Sequence, residues 1–151
     1  MGERRAAPMS LGPSAHLTWA ELACHDGTPY PNDWRESRAV RLATAFEQVR
    51  AAVGAPIRIG SAYRTPAHNA AVGGARESQH CEGLALDLYP PDGWTIDQFD
   101  DAVRPLALSP ETEIHGFGRY PTFLHIDVRQ VRNGRCICWR GKRVSAELKE
   151  A

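Results

Sequence analysis

The stretch Ser78-Gln-His80-Cys-Glu-Gly83-Leu-Ala-Leu-Asp87-Leu-Tyr89 sets the fold. Gly83 ends a polar loop, and the six residues after it alternate in hydropathy. With a period of two, Leu84, Leu86 and Leu88 face a core, while Ala85, Asp87 and Tyr89 face the other way. A carboxylate that shares a strand face with the small Ala85 leaves room for a bound ion. Pro90-Pro91 stops the strand.

A second stretch, Gly116-Phe-Gly-Arg-Tyr120-Pro-Thr-Phe-Leu-His125-Ile-Asp127, repeats the pattern. Phe123, His125, Asp127 and Arg129 share one face of a strand, with Leu124, Ile126 and Val128 behind them. Two such strands side by side present His80, Asp87 and His125 toward one point. Two imidazole nitrogens and one carboxylate oxygen suit a single Zn²⁺, and three protein ligands leave its fourth tetrahedral position to water. Asp127 lies ~7 Å along the strand from His125. It is placed either to hydrogen-bond a ligand from outside or to act as a general base.

Around these strands the chain predicts helices and further strands. A short helical stretch covers Leu17–Leu22. A longer helix runs from Asp33 to Val53, with Leu42, Phe46, Val49 and Val53 on its apolar stripe and Gly54 as its stop. Pro56–Ala62 reads as a strand and Pro66 opens a short helix ending near Gly73-Gly74. Thr95-Ile-Asp-Gln98 is a capping box opening a helix to about Leu106. Strands follow near Ile114, at Phe123–Arg129 and at Arg135–Arg140. The sum is an α+β domain with a small antiparallel sheet and helices packed on it. Residues 16–142 form the domain, between an N-terminal arm over 1–15 and a frayed tail over 143–151.

Composition narrows the function. The 151 residues suit one domain, and 18 Lys+Arg against 18 Asp+Glu give no net field to attract nucleic acid or an anionic membrane. No apolar run reaches the ~18–20 residues that cross a bilayer, and the start lacks a signal-like hydrophobic stretch. The expectation is synthesis in the cytoplasm without a signal peptide and no membrane insertion. Cys24, Cys81, Cys136 and Cys138 are too irregular for a disulfide scaffold and read as reduced thiols. His16, His25 and His68 have no partner pattern and read as structural. The basic run Arg129, Arg132, Arg135, Arg140, Lys142, Arg143 reads as a solvated sheet edge or a contact for an acidic polymer.

Taken in order, these motifs resemble the zinc D-Ala-D-Ala carboxypeptidase family, related to vancomycin-resistance dipeptidases, phage L-alanyl-D-glutamate endolysins and the hedgehog signalling domain. Ser78-Gln-His80, Asp87 and His125-Ile-Asp127 match its signature, and Ser61-Ala-Tyr63-Arg64 with Asn69 and Val72-Gly-Gly-Ala75 matches an upstream segment. The resemblance spans about half the chain. It implies that His80, Asp87 and His125 hold zinc, that Arg64 binds a substrate carboxylate or oxyanion, and that Ser78 supports the His80 loop or touches substrate. Where relatives carry a catalytic glutamate, this chain has Thr122. Asp127 is then the first choice of base, His115 the second and Glu113 the third. The resemblance further implies a monomeric hydrolase of peptidoglycan stem peptides, either a D,D-carboxypeptidase or an endopeptidase. A phage or prophage lysis enzyme or a virion-borne peptidase fits, with phage tail proteins as partners. The alternative is a non-catalytic, zinc-containing binding protein of a phage tail on the same hedgehog-like fold.

Overall fold

In the computed structural model, residues 11–146 are described. Five strands form one sheet in the order β1-β2-β4-β3-β5, with β1 Ile59–Ser61, β2 Ala85–Leu88, β3 Gly116–Arg119, β4 Leu124–Asp127 and β5 Ile137–Arg140. The neighbours β1/β2, β2/β4 and β3/β4 are antiparallel, but β5 runs parallel to β3, so the sheet is mixed rather than antiparallel. The cause is positional. Both edges of β4 are already paired, to β2 and β3, so the chain leaving β4 must step past β3 and join its outer edge.

The helices are α1 (Trp19–Leu22), α2 (Val40–Val53), α3 (Pro66–Ala71) and α4 (Ile96–Ala107). The long helix expected from Asp33 is α-helical only from Val40. A 3₁₀ turn over Asn32–Trp34 and a π turn over Arg35–Ala39 precede it. Those turns set Arg35 over the Trp19 ring and Arg38 over the Trp34 ring, 4.2 and 4.0 Å from the centroids. Gly54, at φ 70°, closes α2 in the left-handed conformation. The Thr95/Gln98 capping box forms as the sequence indicates, and Thr18/Glu21 makes another at α1.

Leu42, Phe46 and Val49 of α2 and Phe99 and Val103 of α4 join one core with Leu86, Leu88, Phe117, Leu124 and Ile126 of the sheet. The opposite sheet face is therefore free for chemistry. The first ten residues of the expected arm, and 147–151 of the expected tail, lie outside the described residues. What is described of both is anchored rather than loose. The Ser14 hydroxyl donates to Glu47 Oε2 (2.7 Å), and Ala146 is fully buried with its carbonyl accepting from Arg64 Nη2 (3.1 Å).

Candidate metal centre

Strand register lines up Ser61, Asp87, His125, Gly118 and Trp139 as one lateral row across all five strands. Asp87 and His125 are direct cross-strand partners, as the period-two reading requires. His80 reaches the same point from the loop before β2. One donor atom from each of His80, Asp87 and His125 lies within 4.8 Å of the others, and all three residues are buried.

The hydrogen bonds decide which nitrogens face inward. His80 Nδ1 lies 2.7 Å from the Ala62 carbonyl, which can only accept, so Nδ1 carries the proton. His80 Nε2 then points a lone pair at Asp87 Oδ2, 3.2 Å away. His125 Nε2 is 2.7 Å from Asp127 Oδ2 and Nδ1 is 3.0 Å from Asp87 Oδ1. With its Nε2 proton given to Asp127, His125 also aims a lone pair at Asp87. Acceptors converging on one buried point need a cation between them. The donor set and the outer partners, a carbonyl and a carboxylate, fit zinc.

The charges follow from the same geometry. Burial penalises the charge on Asp87, yet His80 and His125 outweigh it and hold the carboxyl well below its usual range. Burial lowers His80. It opposes a charged His125 as well, but the bonds to Asp127 and Asp87 win and push that imidazole up to about 9.

Asp127 sits behind the ligands. It is fully buried, and besides His125 it accepts from Arg129 Nη2 (2.7 Å), Nε (2.8 Å) and backbone N–H (3.1 Å). Gly116, directly across in β3, makes space for it: a Cβ there would lie 2.2 Å from Asp127 Oδ2. A carboxylate so enclosed orients His125 and has no approach to a reacting water. Of the two roles the sequence offers it, this geometry displays the outer hydrogen bond to a ligand.

The second and third choices of base lie outside the cavity lining. His115 Nδ1 lies 2.8 Å from the Arg129 carbonyl and its side chain lines no part of the cavity. Glu113 pairs with Arg41 at 3.6 Å, also away from it. The Thr122 hydroxyl donates to the Val144 carbonyl. Ser78 does support the loop, its Oγ accepting from the His80 backbone N–H at 3.1 Å.

Arg64 is beside the group, Nη2 3.5 Å from Asp87 Oδ2, but it is only 2% exposed. Its Nε donates to Ser61 Oγ, Nη1 to Asn69 Oδ1 and Nη2 to the Ala146 carbonyl. Such a guanidinium steadies Asp87 and also lines the cavity, where the sequence expects it to meet substrate.

A cavity of about 340 Å³ opens over the group. Arg129 and Arg143, read from sequence only as part of a basic run, line it, together with the exposed Glu77 and the aromatic side chains Tyr120, Phe123 and Trp139. Tyr120 and Phe123 stack at 4.5 Å, and the Tyr120 hydroxyl accepts from Trp139 Nε1 at 2.9 Å. The Trp139 ring stands 5.1 Å from that of His125. It reaches there across Gly118, where a Cβ would meet the indole at 2.6 Å. The signal in the sequence was Gly-x-Gly at 116–118, which reads as a strand with missing side chains whose space neighbours fill.

Among the described residues no helix is long and apolar enough to cross a membrane. A family model described as Peptidase M15 matches residues 15–127, about three quarters of the chain and both ligand-bearing strands. No curated protein matches the sequence.

Proposed function

Because the chain belongs to the Peptidase M15 family, zinc-dependent metallopeptidases, we propose that it hydrolyses peptide bonds in bacterial peptidoglycan stem peptides. The reaction is that of a D,D-carboxypeptidase or an endopeptidase, performed on the cell wall by a phage-borne or lysis enzyme. The observation that carries the reading is the buried convergence of His80, Asp87 and His125 beneath a cavity rich in guanidinium groups.

When bound, zinc supplies Lewis acidity, polarising a carbonyl and acidifying a water. The chain's own groups do the rest. Ala62 and Asp127 hold the outer protons of His80 and His125, so both imidazoles present lone pairs inward. Arg64 holds Asp87 aligned. Arg129 and Arg143 offer paired donors to a substrate carboxylate at the mouth. The stacked Tyr120/Phe123 pair and Trp139 form an apolar wall that limits water.

Glu77 is the acidic side chain lining the cavity besides Asp87. It takes a proton from the attacking water and delivers it to the leaving amine.

The test is digestion of purified sacculi and defined muropeptides by the full chain, with and without chelator, products identified by mass spectrometry. Zinc-dependent release of D-Ala or of uncrosslinked stems supports the enzyme, and Glu77→Gln should abolish turnover with zinc retained. The enclosure of Asp127 and the outward placement of His115 and Glu113 favour one other reading, a zinc-containing binding protein of a phage tail. A zinc-loaded chain that binds sacculi and cleaves no stem peptide would establish that instead.

A further inference from the structure

Away from the cavity, the loop after α1 and the helix α3 bring together another mixed donor set. One atom each of Cys24 (thiol), Asp26 (carboxylate) and His68 (imidazole) lies within 4.8 Å of the others. From sequence alone Cys24 reads as a reduced thiol and His68 as a structural histidine. The fold changes that reading, because the partners are more than forty positions apart and meet only when α3 packs beside the loop.

The loop is built to hold this arrangement. Cys24 N–H donates to the Thr28 carbonyl (2.8 Å), and Gly27 N–H donates back to the Cys24 carbonyl (3.0 Å). Asp26 Oδ1 accepts from Thr28 N–H at 2.8 Å, and Asp26 Oδ2 from the Thr65 hydroxyl at 2.9 Å. Thr65 is also the N-cap of α3, its Oγ accepting from His68 N–H at 3.1 Å. One threonine therefore fixes both the carboxylate and the backbone of the imidazole. The thiol, the carboxylate and the imidazole are thus held within reach of one ion.

We propose that Cys24, Asp26 and His68 form a second site for a divalent transition metal ion, zinc above all, which fastens the loop after α1 to α3. The donors are those zinc takes, one sulfur, one nitrogen and one oxygen. The Cys24 thiol is buried, while Asp26 is exposed and His68 partly so, which leaves the remaining coordination position to solvent. On binding, the Cys24 S–H bond breaks, a sulfur–metal bond forms and the proton leaves to solvent. The ion also bears on the cavity. His68 is followed by Asn69, whose Oδ1 accepts from Arg64 Nη1 at 3.0 Å, and Arg64 steadies Asp87.

The test is metal counting on the full chain, stripped by chelator, reloaded with zinc and desalted. Two equivalents are expected in the unsubstituted protein. His68→Gln and Cys24→Ser should each bind one, His80→Ala should bind one, and His80→Ala combined with His68→Gln none. His68→Gln, at a half-buried position, keeps the test valid if the buried Cys24→Ser variant folds poorly.

Cobalt(II) gives a readout that the His80/Asp87/His125 group cannot produce, since that group has no sulfur. A near-ultraviolet thiolate-to-cobalt band should appear in the unsubstituted protein and in His80→Ala, vanish in Cys24→Ser and His68→Gln, and persist in Cys138→Ser. A single equivalent indifferent to Cys24→Ser and His68→Gln, or a band that follows Cys138, would overturn the proposal. A single equivalent lost with His68→Gln but kept in His80→Ala would uphold it while removing the support for the peptidase centre.

Discussion

Replacing Asp127 by asparagine separates an orienting role from a catalytic one. The carboxylate is fully buried and accepts four hydrogen bonds, one from His125 Nε2 and three from Arg129. Asparagine has the same shape, but one oxygen becomes an NH₂ donor. If the amide turns that NH₂ toward Arg129, donor faces donor. If it turns toward His125, the ring must move its proton from Nε2 to Nδ1, the nitrogen that faces Asp87. The first orientation keeps an oxygen on His125 and loses the Arg129 bonds; the second takes the outer support from a metal-ligating nitrogen, which typically costs about 10–100-fold in metal affinity, or ~1.4–2.7 kcal/mol. Folding stability of the metal-free chain should fall near the lower end of the about 3–5 kcal/mol for breaking a buried ion pair. The lower end applies because the Arg129 side chain keeps 24% exposure and can rehydrate. Competition against a zinc-binding dye measures the first quantity and denaturant unfolding the second. Unchanged zinc affinity together with complete loss of hydrolysis would refute the reasoning and make Asp127 the base.

Other outcomes follow from the same geometry. Gly118→Ala places a Cβ 2.6 Å from the Trp139 indole nitrogen, so overpacking should cost about 1–3 kcal/mol and pull the ring off His125; denaturation and substrate KM report it. Trp139→Phe should abolish the change in tryptophan emission on zinc loading, because Trp139 is the tryptophan lining the cavity; an undiminished response would contradict its placement. Asp100, 4% exposed, accepts from Arg104 at 2.7 and 2.9 Å and from Arg119 at 3.2 Å, and these bonds hold its carboxyl below the ordinary 3.8. A depressed carboxyl stabilises the fold above its unfolded value and ceases to as pH falls through its lower folded value. Asp100→Asn should therefore lose ~1.5–3 kcal/mol at neutral pH, with the deficit shrinking in acid. A deficit equal at pH 7 and in strong acid would contradict the assignment.

Local patterns in the sequence carried much of this architecture. The alternation over 84–89 and 123–129 put Asp87 and His125 on one face and the leucines on the other, because side-chain direction in a strand needs only neighbouring residues. The Thr95/Gln98 cap is equally local. What could not be read depended on which strands meet. The parallel seat of β5 follows from β4 having no open edge, and the Trp139–His125 contact needs Gly118 between two strands distant in sequence. The surroundings of Asp127 were hidden for a related reason. Asp127 is on the predicted face, but the bend that brings Arg129 back onto it is a tertiary event. The joining of Cys24 to His68 is likewise set by helix packing and leaves no spacing signature.

The most direct test of the central claim is anomalous diffraction at the zinc absorption edge from crystals of the zinc-loaded full chain. The account predicts a peak within about 2.0–2.2 Å of His80 Nε2, an Asp87 oxygen and His125 Nδ1, with Asp127 still bonded to His125 Nε2. No peak between those three side chains, or a zinc held by Asp127 and the Nε2 of His125, would contradict it.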